Sequence, residues 1–180
     1  MKMKTFKSLI FLMLLSFVTT LLGCDKMEDP NTDTIHDESF LTCKINGELR
    51  KFNYAVNAND KPATEVEHFV VIGGWEKEDM NIGFGISLLI PEKEGVKETT
   101  YSVAGTNTLE LDADYYIQNW NGGKHTGTTV YSGGRSDGTN FTLTITSLTK
   151  WGVKGTFSGR LQNGSAYVVV TDGKFSAPYN

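Results

Sequence analysis

The chain has 180 residues with 17 basic and 21 acidic side chains, a formal charge of −4, and that length supports one domain with a real core. It shows no basic footprint of the kind that marks nucleic-acid binding, which excludes nucleic acid as a partner. Only two cysteines are present, Cys24 and Cys43, so a disulfide framework is excluded too.

Lys2, Lys4 and Lys7 form a positive opening, and Leu9 to Leu22 is an apolar run broken only by Ser16, Thr19 and Thr20. The run is too short for a comfortable membrane span, which needs about 20 apolar residues. It therefore reads as an export signal to be kept out of the fold argument. Leu21-Leu22-Gly23-Cys24 follows and resembles the lipobox of bacterial lipoproteins, with small Gly23 at the cleavage site and the Cys24 thiol as lipid acceptor. The expectation is a signal peptide over 1–23, removed to leave a chain held to the membrane through lipid on Cys24. What remains carries 14 basic and 21 acidic side chains, a formal charge of −7.

Residues 24–38 read as the lipidated cysteine and a flexible tether. Residues 25–38 hold six acids and one lysine with almost no apolar content, too little to repay the entropy of ordering. The stretch Asp25-Lys26-Met27-Glu28-Asp29 resembles the surface-export signal of Bacteroidetes lipoproteins, although Met27 interrupts the lysine–acid–acid order. Asp33-Thr34-Ile35 is similar to the O-glycosylation motif of the same phylum, which marks Thr34 as the acceptor. The resemblance implies an outer-membrane lipoprotein displayed at the cell surface.

From Ser39 the dominant pattern is alternation, the period of half-buried strands. Leu41, Cys43 and Ile45 share one face, and Asn46-Gly47 supplies the two positive-φ residues of a hairpin turn before Glu48 to Tyr54 returns. In this setting Cys43 reads as a small buried hydrophobe. Glu67–Gly73 is the next strand, and in Met80–Ile90 the residues Ile82, Phe84, Ile86, Leu88 and Ile90 share a face. The small residues opposite them, Gly83, Gly85 and Ser87, suit close approach by another backbone or a loop. Thr99–Val103 follows, then Leu109–Trp120 with Leu111, Ala113, Tyr115 and Ile117 inward. Strands over Thr128–Ser132, Phe141–Ile145, Val153–Leu161, Tyr167–Thr171 and Lys174–Ala177 complete the chain, with Asn163-Gly164 as a second hairpin signal. About ten short, mostly antiparallel strands with Gly, Asn and Asp between them predict an all-β domain over 39–180. A single β-sandwich is the expected architecture, with barrel-like closure as the alternative.

Leu41-Thr42-Cys43-Lys44-Ile45-Asn46-Gly47 at the start, with Gly155-Thr156-Phe157 and Asp172-Gly173-Lys174-Phe175 at the end, resembles a family of small Bacteroidetes lipoproteins of unknown function. The resemblance covers roughly 39–177 and implies a single all-β domain. It implies no activity.

No catalytic constellation is legible. His36, His68 and His125 are scattered, and there is no His-x-His, His-Glu-x-x-His, Cys-x-x-Cys or Gly-x-Ser-x-Gly. His68 reads as a hydrogen-bonded sheet residue. Glu110, Asp112 and Asp114 project from one strand face, which admits a calcium site or a merely solvated face. The expectation is no catalytic residue, no metal and no cofactor. Trp75 and Trp151 lie near strand ends and read as caps on the core.

The pattern that does point outward is aromatic. With Tyr115 and Ile117 inward, Tyr116, Gln118 and Trp120 face outward, Asn121 opens the turn, and Tyr131 on the next strand joins them. Flat rings flanked by amides suit a sugar: the ring stacks on its C–H face and the amides read its hydroxyls. The same rings could instead cover the rim of the sandwich. The functional expectation is a non-enzymatic binding or accessory domain for a glycan or another surface polymer. The alternative is an envelope assembly lipoprotein that takes a protein partner at a sheet edge, and a hydrolase is the third reading.

Overall fold

A computed structural model describes residues 39–59, 66, 68–104 and 109–179. The signal segment 1–23, Cys24, the tether to residue 38 and Thr34 within it lie outside the described residues. The domain is all-β. Its strands are β1 (Phe40–Ile45), β2 (Glu48–Lys51), β3 (Tyr54–Ala58), β4 (Phe69–Trp75), β5 (Ile82–Leu89), β6 (Thr100–Val103), β7 (Glu110–Asn121), β8 (Lys124–Gly134), β9 (Phe141–Thr149), β10 (Gly152–Asn163) and β11 (Ala166–Pro178).

All eleven belong to one antiparallel sheet with the path β2-β1-β11-β10-β8-β7-β5-β4-β3, and β9 and β6 branch from β10. The branch is what makes two layers. β10 pairs with β9 along Gly152–Gly159, then touches β8 through the single pair Gln162–Ser132. At that narrow joint the sheet folds over. β3, β4, β5, β7 and β8 form one layer; β2, β1, β11, β10, β9 and β6 form the other. The sheet does not close into a barrel. Among the described residues, β3 approaches the end of β11 by one parallel bridge, Ala58 to Tyr179.

The alternating apolar residues meet between the layers. Leu41, Cys43, Ile72, Phe84, Ile86, Leu88, Leu111, Phe141, Leu143, Ile145, Leu161 and Phe175 are all buried. Phe84 of β5 stacks on Phe157 of β10 at 5.2 Å between centroids, and Phe157 in turn meets Phe141 and Phe175.

Four departures from the sequence pattern have local causes. Glu48–Tyr54 is not one strand. Buried Phe52 ends β2 by turning into the core, where it meets Phe84 at 5.6 Å and Tyr115 at 6.1 Å, and β3 starts in the other layer. This corner needs Gly74, because a Cβ there would lie 2.2 Å from the Phe52 carbonyl oxygen. Tyr167–Thr171 and Lys174–Ala177 are one strand, not two. β11 absorbs an extra residue against both neighbours as a bulge at Asp172, whose φ is 53°. Gly83 and Gly85 admit rings instead of backbone. Trp75 lies over Gly83, where a Cβ would come within 2.6 Å of its ring, and Tyr116 lies over Gly85 at ordinary contact distance. Trp151 does not cap the core. It stands exposed at the β9–β10 turn with the Lys150 ammonium over its ring at 4.9 Å.

Removing the inter-layer stack should be costly: Phe84→Ala is expected to destabilise the domain by about 3–5 kcal/mol in equilibrium denaturation. Gly74→Ala should cost about 1–3 kcal/mol by forcing the corner apart. Burial pushes the Cys43 thiol up to about 12, against an opposing pull from Arg50 and with a smaller push from Glu76. The folded state then keeps a proton that the unfolded chain sheds near its ordinary pKa of about 8.5. The stabilisation is present below that pH and is lost as pH rises toward 12. Urea unfolding from about pH 8 to 11 should show falling stability, with a shallower fall in Cys43→Ala.

Candidate functional site

β7 is long enough to run past the core, and its outward residues Tyr116, Gln118 and Trp120 follow the alternation to the tip of the β7–β8 hairpin. Gly122 and Gly123 make the two-residue turn, with φ of 56° and 79°, the signs a tight hairpin turn of this hand requires. Asn121 is exposed and pairs with Lys124 across it.

The outward row is not a uniform strip. Tyr116 is partly buried: its ring packs 6.3 Å from Trp75 and its hydroxyl donates to Asp114 Oδ2 at 3.1 Å. Burial, then the Asp114 charge and this hydrogen bond, push the Tyr116 phenol up to about 12. Gln118 is held as well. Its Oε1 accepts from His125 Nε2 at 2.7 Å and from the Thr128 hydroxyl at 2.8 Å.

Trp120 is different. It is 53% exposed, yet its indole N–H donates to Asn81 Oδ1 at 2.7 Å and His125 meets it edge-on at 5.3 Å. A bulge positions this pair. β8 carries one extra residue, Thr126, which brings His125 opposite Trp120 on the outer face. The result is an aromatic face open to solvent and fixed in orientation, with Met80, also exposed, beside Asn81 in the β4–β5 turn.

Tyr131 does not join this group. The register sets it directly opposite Tyr115, so it points inward, 6.2 Å from that ring, and packs against the core. Val130 stands opposite Tyr116 instead. Asn81, in contrast, was not legible as a site residue, because it lies 39 positions from Trp120 in a turn with no motif.

The carboxylate row is divided among separate partners. Glu110 pairs with Arg135 at 2.6 Å, Asp112 accepts the Ser136 N–H at 2.8 Å, and Asp114 accepts the Ser132 and Tyr116 hydroxyls. Each thus anchors β7 to β8 or to the loop after it. Among the described residues no group of three or more ligating side chains is placed to hold a metal. His68, at the margin of the sheet, donates from Nδ1 to the Ile90 carbonyl at 3.2 Å.

Tyr116 should remain a phenol beyond the ordinary tyrosine pKa of about 10 in a spectrophotometric titration. Asp114→Asn removes the neighbouring charge and should move that titration downward. No protein-family model matches the chain, and no curated protein or solved structure matches it either.

Proposed function

We propose that this chain is an envelope lipoprotein, held in the outer membrane through Cys24 and displayed at the cell surface, whose β domain binds a glycan without chemistry of its own. Trp120 carries the reading. The indole is more than half exposed and still pinned by Asn81 and His125, so its ring would lose little freedom on stacking against a sugar. A pre-ordered aromatic face of this kind contributes affinity through buried apolar area. Around it, Gln118 offers its amide nitrogen, His125 its ring and Asn121 its side chain to sugar hydroxyls. Tyr116 supports the row from below and is not a contact residue.

The test uses the full-length chain in detergent micelles against an array of neutral glycans. Binding to a neutral oligosaccharide is expected, with a loss of about tenfold in Trp120→Ala and a smaller loss in Asn81→Ala, which frees the ring. Wild-type affinity in Trp120→Ala would remove the proposal. For the anchor, Cys24→Ala should shift the protein from the detergent phase to the aqueous phase in a partitioning assay; unchanged partitioning would refute lipidation at Cys24.

A further inference from the structure

We infer that the outer face of the other layer is a second binding surface, built for an acidic glycan whose sugars carry carboxylate or sulfate groups. It lies on the side of the domain opposite Trp120 and does not rest on the role of that residue. The register draws one line across six strands: Lys51 of β2, Thr42 of β1, Lys174 of β11, Thr156 of β10, Thr144 of β9 and Thr100 of β6. Strands lie about 4.8 Å apart, so the line runs about 24 Å. A parallel line beside it holds Lys44, Asp172, Ser158, Thr142 and Ser102.

The two lines are cationic at one end and hydroxyl-bearing at the other. Thr100 and Thr144 hydroxyls lie 2.9 Å apart, and those of Ser102 and Thr142 lie 2.7 Å apart. In the Thr100–Thr144 pair each hydroxyl keeps a donor or a lone pair for a ligand. Between the lines runs a groove of about 230 Å³, lined by Thr142, Thr144, Thr156, Ser158, Asp172 and Lys174. Lys44 is engaged with Asp172 at 2.8 Å; Lys174 acts on the same carboxylate through its charge without closing an ion pair.

Charge is segregated between the layers. The strands of this layer carry six basic and two acidic side chains, whereas those of the other carry one basic and three acidic. Of the six, Arg50 is drawn off to Glu76 at 2.5 Å, Lys44 pairs with Asp172, and the Arg160 guanidinium lies over the Tyr167 ring at 4.1 Å. The net charge of the chain is negative, so a cationic face on it is a local arrangement that would attract an anionic partner. The hydroxyl rows select among anions. Exposed apolar side chains stand near these lysines, Leu49 on β2 and Tyr167 and Val169 on β11, while none is exposed on β6, β9 or β10, so a lipid surface would leave the hydroxyl rows unused. A sugar chain can use both ends, with acid groups on Lys51 and Lys174 and ring hydroxyls on the threonines.

Native electrophoresis of the full-length chain through gels containing polygalacturonate, dextran sulfate or neutral hydroxyethyl cellulose tests this surface. Retardation is expected in one or both acidic polymers and not in the neutral one. Lys51→Gln with Lys174→Gln, and separately Thr144→Val with Thr156→Val, should each weaken it about fivefold. Lys150→Gln, which loses charge outside the two lines, should not. The inference is overturned if neither acidic polymer retards the chain, if the threonine pair has no effect, or if Lys150→Gln weakens retardation as much as the paired lysine change. It is overturned too if only micelles doped with phosphatidylglycerol shift the mobility. Because the Trp120 site is read with neutral glycans, failure of either site is distinguishable from failure of the other.

Discussion

The contact on which the domain depends is the stack of Phe84 on Phe157. These rings belong to strands that do not pair, and among the described residues the layers they join share little backbone pairing beyond the Gln162–Ser132 pair between β8 and β10 and the Ala58–Tyr179 bridge. Backbone hydrogen bonding would leave that joint free to hinge. Burial of aromatic area holds it shut, because Phe84 and Phe157 bring Phe52, Phe141 and Phe175 into one continuous cluster. Phe52 then serves twice. It contributes a ring to the cluster, and by turning inward it moves the chain from one layer to the other.

With the layers closed, every strand has a committed inner face, and its outer face is free to differ. On β5 and β7 the outer face is finished with aromatic rings laid over glycines and with carboxylates each held by a separate donor. This face is rigid and becomes open only at the hairpin tip, where Trp120 stands. On β9, β10 and β11 the outer face is a field of hydroxyls and cationic groups, with the exposed Tyr167 ring under the Arg160 guanidinium at 4.1 Å. The proposed neutral-sugar platform and the proposed acidic-glycan surface thus use different physics: apolar stacking on one side, charge and hydrogen bonding on the other.

Much of this was legible residue by residue. Ile86 and Leu88 on β5, and Leu111, Ala113 and Tyr115 on β7, are buried as their spacing requires, because a strand packed on one face has a side-chain period of two. Asn46-Gly47 forms its hairpin with φ of 51° and 86°, since those residues tolerate positive φ. At the second hairpin the turn falls one residue later, on Gly164 and Ser165, with Asn163 paired to Ala166 and its side-chain amide donating to the Val130 carbonyl at 2.8 Å. That partner comes from a strand 33 residues away, and no local pattern announces it.

The amino-acid sequence alone determined the all-β class, the inward residues of the long strands, and the outward placement of Tyr116, Gln118 and Trp120. Those properties follow from local alternation and turn chemistry. Only tertiary structure decided which of the outward rings stays available. Tyr116 is claimed by Trp75 and Asp114, and Tyr131 is turned inward by the cross-strand register. Trp120 alone is left open, under the hold of Asn81 from another hairpin. Cross-strand register also aligned Lys51, Thr42, Lys174, Thr156, Thr144 and Thr100, drawn from positions 42 to 174. Such alignment depends on long-range pairing and on bulges, and neither leaves a periodic trace in the chain.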